Sequence, residues 1–318
     1  MKKPTTIDYV FWPAPVRRYS FREHLKAAEA GGFTSLAVAP EAYRQAISSG
    51  LSAKDMVKKA SDKGVALRHL DTLTDWAPIR VPSEIDAGLR SRFDVSADEC
   101  FAICEALGLE TILAVAGYDK DAIPFEILVD GFGRLCDRAA QNGLWVDLEF
   151  MPFWGLPDLA SAWAIVGAVQ HKNAGIMVDT WHFSKGNPDF ALLKSLPGEC
   201  LVSVQVADAM RDQRGATLFE DTVRFRKFPG EGELPIAEIL TILHQKGHLR
   251  RIGPEVFSDE ADALLPEIAG KRSAESLRHV MHAAGILSPE GKEQANGRDE
   301  LPLIRDSGEK RPAQNADE

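Results

Sequence analysis

Short apolar runs recur along the chain and alternate with longer stretches in which apolar residues fall at helical spacing. The runs at residues 7–12, 35–39, 65–70, 111–116, 145–150, 174–179, 201–206 and 252–257 are rich in Val, Ile, Leu and aromatic residues. Several stop at Pro or Gly, and this pattern predicts strands. Arg68 and His69 make the third the most polar of the eight. Apolar positions three and four apart predict helices over 20–30, 54–63, 96–107, 125–141, 157–171, 190–196, 235–246 and 273–284. Ser20 with Glu23 forms a capping signal, Gly31-Gly32, Gly64, Gly108 and Asn142-Gly143 mark helix ends, and Pro235 suits a first turn.

Eight strands alternating with eight helices imply a parallel α/β architecture, and the count predicts a single (β/α)8 TIM barrel over residues 1–288. A doubly wound open sheet is the alternative. It calls for a Gly-rich first turn, whereas the first strand here runs into Phe11-Trp12-Pro13-Ala14-Pro15. Residues 72–94 and 208–232 are predicted as long irregular connections, a kind that covers or carries a site. Residues 289–318 hold few large apolar side chains and are predicted as a flexible polar tail.

Composition narrows the function classes. The 318 residues are 45% hydrophobic and 26% charged, which suits a soluble globular protein. The net charge of −10 argues against nucleic acid or an anionic membrane as partner. No apolar segment follows Met1-Lys2-Lys3-Pro4, and no run is long enough to span a bilayer, so a cytoplasmic protein is expected. Cys100, Cys104, Cys136 and Cys200 fit no zinc spacing and are expected as reduced thiols.

The chemistry concentrates in the second half. All strand C-termini of such a barrel open onto one face. Glu149 lies near the end of strand five, Asp179 at the end of strand six, Gln205 in strand seven and Glu255 in strand eight. One Glu after a strand is usually a cap or a solvated charge. Four oxygen donors on consecutive strands predict a cage for one divalent metal ion, and hard donors favour Mn2+ or Mg2+ over zinc. His182, three residues beyond Asp179, is an acid/base or substrate-binding candidate. Arg226 can clamp a hydroxyl, carboxylate or phosphate. His69 stands beside Asp71, either to donate to a substrate oxygen or as a structural His–Asp pair. Trp12, Trp76, Phe153, Trp154, Trp181, Phe183 and Phe257 crowd the same strand ends. Trp12 and Trp181 are candidate walls of a small-molecule pocket.

Leu148-Glu149-Phe150-Met151-Pro152, Val178-Asp179-Thr180-Trp181-His182, Arg226-Lys227-Phe228-Pro229-Gly230-Glu231-Gly232 and Gly253-Pro254-Glu255-Val256 resemble, as a set, the sugar phosphate isomerase/epimerase family of the xylose-isomerase-like TIM barrel superfamily. The resemblance runs over about residues 5–287. It implies that Glu149, Asp179, Gln205 and Glu255 bind one divalent metal, that Glu149 and Glu255 act as acid and base, and that His182 and Arg226 touch substrate oxygens. Two features set this chain apart from the ketose 3-epimerases. Gln205 stands where many carry His, as in some 3-dehydroshikimate dehydratases. Trp154-Gly155-Leu156-Pro157 stands where they carry a substrate-binding Glu.

The reaction so implied is proton abstraction next to a carbonyl through a metal-stabilised enediolate. The expectation is an isomerase or epimerase on a sugar or polyol-ketone, with a lyase or dehydratase as the alternative. Nuclease chemistry on such a barrel needs further His ligands, and strand four ends in Ala114-Val115-Ala116-Gly117. A homo-oligomer is compatible with the sequence.

Overall fold

A computed structural model describes residues 7–78 and 95–287. Eight parallel strands close into one barrel in chain order. They are β1 (Asp8–Phe11), β2 (Ser35–Val38), β3 (Ala66–Leu73), β4 (Thr111–Val115), β5 (Trp145–Glu149), β6 (Ala174–Asp179), β7 (Ser203–Val206) and β8 (Arg251–Pro254). The closing seam pairs Asp8 with Arg251 and Tyr9 with Ile252. This is the (β/α)8 TIM barrel that the alternation predicts, and closure excludes the open sheet. The predicted tail lies outside the described residues, as do residues 79–94 of the connection after β3.

The helices are α1 (Phe21–Gly31), α2 (Pro40–Ser48), α3 (Ala53–Ser61), α4 (Ala97–Leu107), α5 (Phe125–Gln141), α6 (Leu159–Val169), α7 (Thr180–Lys185), α8 (Phe190–Ser195), α9 (Leu218–Arg224), α10 (Ile236–Gln245) and α11 (Pro266–Ala283). Three differences from the sequence reading stand out. Pro40 opens a helix that was not predicted, and the last helix starts at Pro266 rather than at 273. Thr217 caps α9 through the amide of Glu220, inside a stretch whose polarity reads as loop. β3 also runs three residues further than expected, to Leu73.

Two buried zones follow from strand alternation. Outward-facing residues such as Leu36, Ile112, Val146, Leu148, Ile176, Val178, Val204 and Ile252 pack against the helices. Inward-facing residues build layers along the barrel axis. At the foot, Asp8, Ser35, His69, Thr111, Asp147, Ser203 and Arg251 form a polar layer. His69 shares its Nε2 between Asp8 Oδ2 (3.0 Å) and Ser35 Oγ (3.1 Å), and its Nδ1 meets Thr111 Oγ1 at 2.8 Å. Arg251 donates to Ser203 Oγ (2.7 Å) and Asp147 Oδ2 (3.2 Å), and Ser203 donates to the same Asp147 oxygen at 2.6 Å. Above this layer Val10, Trp12, Ala37, Leu113, Val115 and Met177 pack as an apolar plug. Each functional strand end stands one pleat beyond an inward-facing residue of these layers: Glu149 beyond Asp147 and Gln205 beyond Ser203 of the foot layer, Asp179 beyond Met177 of the plug.

Candidate active site

The register fixes the order of the rim. Glu149 pairs with Met177, Asp179 with Gln205, and Gln205 with Gly253, so β5 to β8 present their polar ends side by side. Glu255 follows β8 directly, its amide bonded to the Val206 carbonyl at 3.1 Å. A Cβ on Gly253 would stand 1.8 Å from the Val10 carbonyl oxygen and 2.8 Å from the Trp12 ring. Only glycine lets β8 close against β1 here, and that closure places Glu255 on the rim.

The four predicted oxygen donors are brought together, all buried. Gln205 Nε2 donates to Glu255 Oε1 at 2.8 Å, which leaves Gln205 Oε1 buried without a protein partner. Glu149 Oε1 is likewise buried with no hydrogen bond, 3.5 Å from His182 Nε2. Asp179 caps α7 by accepting the His182 amide at 2.8 Å, so the helix that starts at the end of β6 carries His182 back over the rim. Ligating atoms of Glu149, Asp179 and His182 lie within 4.8 Å of one another. The buried oxygens with no hydrogen bond and three neighbouring carboxylates suit a divalent cation. Glu149, Asp179, Gln205 and Glu255 would hold it, and His182 adds a nitrogen donor to the oxygen set.

Arg226 crosses this cluster. Its Nη1 donates to Asp179 Oδ2 (2.7 Å), Glu255 Oε2 (3.2 Å) and the Glu255 carbonyl (3.1 Å). Its Nε and Nη2 donate to Thr222 Oγ1 at 3.0 and 2.7 Å, and the guanidinium lies 5.3 Å from the Trp181 ring. Nη2 also lies 3.2 Å from His182 Nε2. The guanidinium can only donate, so Nε2 is the bare acceptor and the ring proton belongs on Nδ1. That Nδ1 is buried with no protein partner.

Charge is heavily perturbed here. Burial pushes the Glu149 carboxyl well above the usual carboxylate range, and the like charges of Glu255, Asp179 and Asp71 add to it against Arg226. Burial raises Glu255 in the same way, opposed by Arg226 and reinforced by Asp71 and Asp179. Burial would raise Asp179 too, but Arg226 and His182 outweigh it and hold Asp179 below its ordinary value. Burial pushes His182 down to about 3, so its imidazole is neutral at pH 7. Two acids held high and a neutral His beside an ionised Asp form a set able to move protons.

The predicted aromatic residues divide. Trp12 and Trp154 belong to the plug beneath the rim, with Phe153 packed against it. The Phe153 ring centroid is 5.6 Å from His182 and 5.4 Å from Phe219. Trp181 backs Arg226. Phe257 lies 5.4 Å from the Arg226 guanidinium. Trp76 and Phe183 are structural: the Trp76 indole donates to the Val115 carbonyl at 2.7 Å, and Phe183 packs on Phe190. His69 is not brought to the rim. It is bound into the foot layer, where its acidic hydrogen-bonding partner is Asp8. Arg68 and His69 weaken the strand pattern because this layer is polar.

Sequence reasoning took Asp71 only as a partner for His69, and missed Phe219, Thr222 and Asp208. Asp71 on β3 is close enough to raise both Glu149 and Glu255. Phe219 and Thr222 ride on α9, whose signal was the Thr217–Glu220 cap. Asp208 carried no motif of its own.

Comparison with known proteins agrees with this fold. The family described as xylose isomerase-like TIM barrel matches residues 25–281. A 3-dehydroshikimate dehydratase of Pseudomonas putida strain KT2440 is 25% identical over 266 residues, 82% of this chain and 39% of that protein. An inosose isomerase of Bacillus subtilis strain 168 is 27% identical over 172 residues, 52% of this chain and 60% of that protein. The chain thus spans less than two thirds of the length of either. Among solved structures, the IolI protein with a bound zinc atom superposes with a TM-score of 0.72 at 20% identity, covering 86% of this chain and 98% of that one. That likeness is one of fold. With the family match spanning most of the barrel, the chain belongs to the xylose isomerase-like TIM barrel family.

Proposed function

We propose that this protein is a divalent-metal-dependent isomerase that moves a proton at the carbon next to a carbonyl of a hydroxylated ketone. The observation that carries the reading is the pair Glu149 and Glu255: two buried carboxyls, both held above their ordinary range, on one rim with Asp179 and Gln205. Mn2+ or Mg2+ is the expected ion. When bound, such an ion supplies a Lewis acid that polarises the carbonyl and stabilises the charge developing on its oxygen.

The chain's own groups do the rest. Glu149, with one oxygen free of hydrogen bonds and a raised proton affinity, is the base that takes the proton. Glu255, tied by Gln205 and Arg226, returns one from the far side of the substrate. His182 Nδ1 donates a hydrogen bond to a substrate oxygen. Arg226 holds Asp179 and Glu255 in place and offers its charge beside them. Phe153, Trp154 and Phe219 form an apolar wall that keeps water from the exchanging proton. Inosose and 3-dehydroshikimate, the compounds in the relatives' names, are both hydroxylated ring ketones, and this class is the proposed substrate. We place the protein in the cytoplasm, acting on small molecules rather than nucleic acid.

A dehydratase is the second reading. The dehydratase relative covers more of this chain than the isomerase relative does, and Gln205 stands where the resemblance allows a dehydratase. The same base would take the proton, and a proton would then go to the departing β-hydroxyl, which leaves as water, rather than back to carbon. Incubation of Mn2+-loaded protein in D2O with inosose and with 3-dehydroshikimate, followed by NMR, separates the two. Deuterium wash-in with the carbon skeleton and hydroxyls retained supports the isomerase; loss of water supports the dehydratase. No exchange and no elimination on either ketone, with metal bound, sinks both.

A further inference from the structure

The loop carrying Arg226 is held by a carboxylate that does not touch the reacting groups. Asp208 follows β7 by two residues and is buried. Its Oδ1 accepts the amides of Ala209 (2.8 Å) and Leu234 (3.0 Å). Its Oδ2 accepts the amides of Gly230 and Gly232, both at 3.0 Å. Its backbone exchanges both hydrogen bonds with Lys227, at 2.9 and 2.7 Å. One residue therefore closes the Phe228-Pro229-Gly230-Glu231-Gly232 turn from inside and pins the residue next to Arg226. The fit is tight: a Cβ on Gly232 would stand 2.4 Å from Asp208 Oδ1 and from the Ala209 carbonyl oxygen.

We propose that Asp208 is a positioning residue for Arg226. Through the turn it fixes where the guanidinium emerges, and so sets the hydrogen bonds that Arg226 makes to Asp179 and Glu255. Four amide donors converging on one carboxylate are charge-assisted and directional, and a neutral amide side chain cannot replace them: it has one acceptor oxygen, and its NH2 would face two N–H groups. The consequence for turnover rests on the proposed function; the structural consequence does not.

The test is Asp208→Asn, read first without substrate. In the wild type the Arg226 Nε–H is buried and bonded to Thr222, so its 15N NMR signal should exchange slowly with solvent. In Asp208→Asn we expect that signal, and the Gly230 and Gly232 amides, to exchange about tenfold faster or more, the loss corresponding to charge-assisted hydrogen bonds. Ile103→Val, which thins the packing of α4 against α2, α3 and β3, serves as a control for general destabilisation and should leave the Arg226 signal unchanged. If Asp208→Asn does not fold, Gly232→Ala disturbs the same clamp from the other side. Arg226 protection equal to wild type in the folded variant overturns the proposal, and so does equal loss in the control. With a turned-over ketone in hand, Asp208→Asn should lower kcat/KM about tenfold in the wild type but hardly at all in an Arg226→Lys background, the non-additivity of residues acting as one unit. Equal losses in both backgrounds also overturn it. Wild-type protein inert toward ketones sinks the proposed function and leaves the NMR result to decide Asp208.

Discussion

Gln205 donates its amide to Glu255 Oε1 over 2.8 Å, and that bond turns its own Oε1 into a buried acceptor with no protein donor. The side chain is thereby oriented: its nitrogen faces the carboxylate and its oxygen is left without a donor. A leucine at 205 would keep the volume and remove both the oxygen and the bond that orients Glu255. Gln205→Leu is expected to weaken Mn2+ binding by about tenfold or more, the scale of losing a ligand or its orienting partner. Calorimetric titration of the metal into chelator-treated protein measures this. Wild-type affinity in the variant would remove Gln205 from the ligand set.

Replacing Glu149 should have opposite effects on activity and stability. Its folded-state pKa is raised, chiefly by burial and then by Glu255, Asp179 and Asp71. A raised carboxyl contributes stability that is present at low pH and lost as pH rises through the folded value. Above that value the metal-free protein holds an uncompensated buried charge. Glu149→Gln should therefore raise the Tm of the chelator-treated protein at pH 8 while abolishing turnover and deuterium wash-in. Melting curves in EDTA and a proton-exchange assay check the two halves. Unchanged turnover would end its role as base.

The degree to which this site was legible in sequence depended on the strand period. Glu149, Asp179 and Gln205 lie at or next to the ends of short strands dominated by apolar residues, so both register and face could be read from spacing. His69 defeated the same logic. Its strand extends to Leu73, so the residue that looked close to the strand end sits at mid-strand, level with the first residues of β2 and β4. Arg226 was found by motif, but Thr222 and Asp208 were not. Thr222 is four residues away on a helix hidden in a polar stretch, and Asp208 acts through backbone amides, which leave no trace in side-chain pattern.

The foot layer should therefore govern stability and leave the chemistry alone. Burial alone would raise Asp8, but the hydrogen bond and charge of His69, with help from Thr34 and Arg68, hold it well below the carboxylate range. Removing the imidazole takes a hydrogen-bond partner from Asp8, Ser35 and Thr111, although Ser35 and Thr34 still donate to Asp8. His69→Leu is expected to destabilise by about 2–3 kcal/mol through those lost hydrogen bonds. KM for a turned-over ketone should stay at the wild-type value. Urea unfolding and steady-state kinetics read the two effects; a raised KM at wild-type stability would return His69 to the substrate.

Acid sensitivity should originate partly at His24, far from the rim. The imidazole is buried under α1, its Nε2 3.1 Å from the Val16 carbonyl, and burial pushes it down to about 4 despite the hydrogen bonds to Val16 and Tyr19 and the nearby Glu23. Its ordinary value is 6.5. A depressed pKa means that the folded state holds His24 neutral where the unfolded chain would bind a proton. Its stabilising effect is thus complete above pH 6.5 and is lost as pH falls toward 4. The total at stake is up to about 3 kcal/mol, since each tenfold loss of proton affinity on folding is worth about 1.4 kcal/mol. His24→Gln keeps a donor for Val16 without a titrating ring. In chelator-treated protein it should flatten the fall in unfolding free energy between pH 6.5 and 4. Part of the slope should survive, since His182 is pushed down to about 3 and acts in the same direction. A pH profile parallel to wild type across that window would show that His24 is not a source of the acid sensitivity.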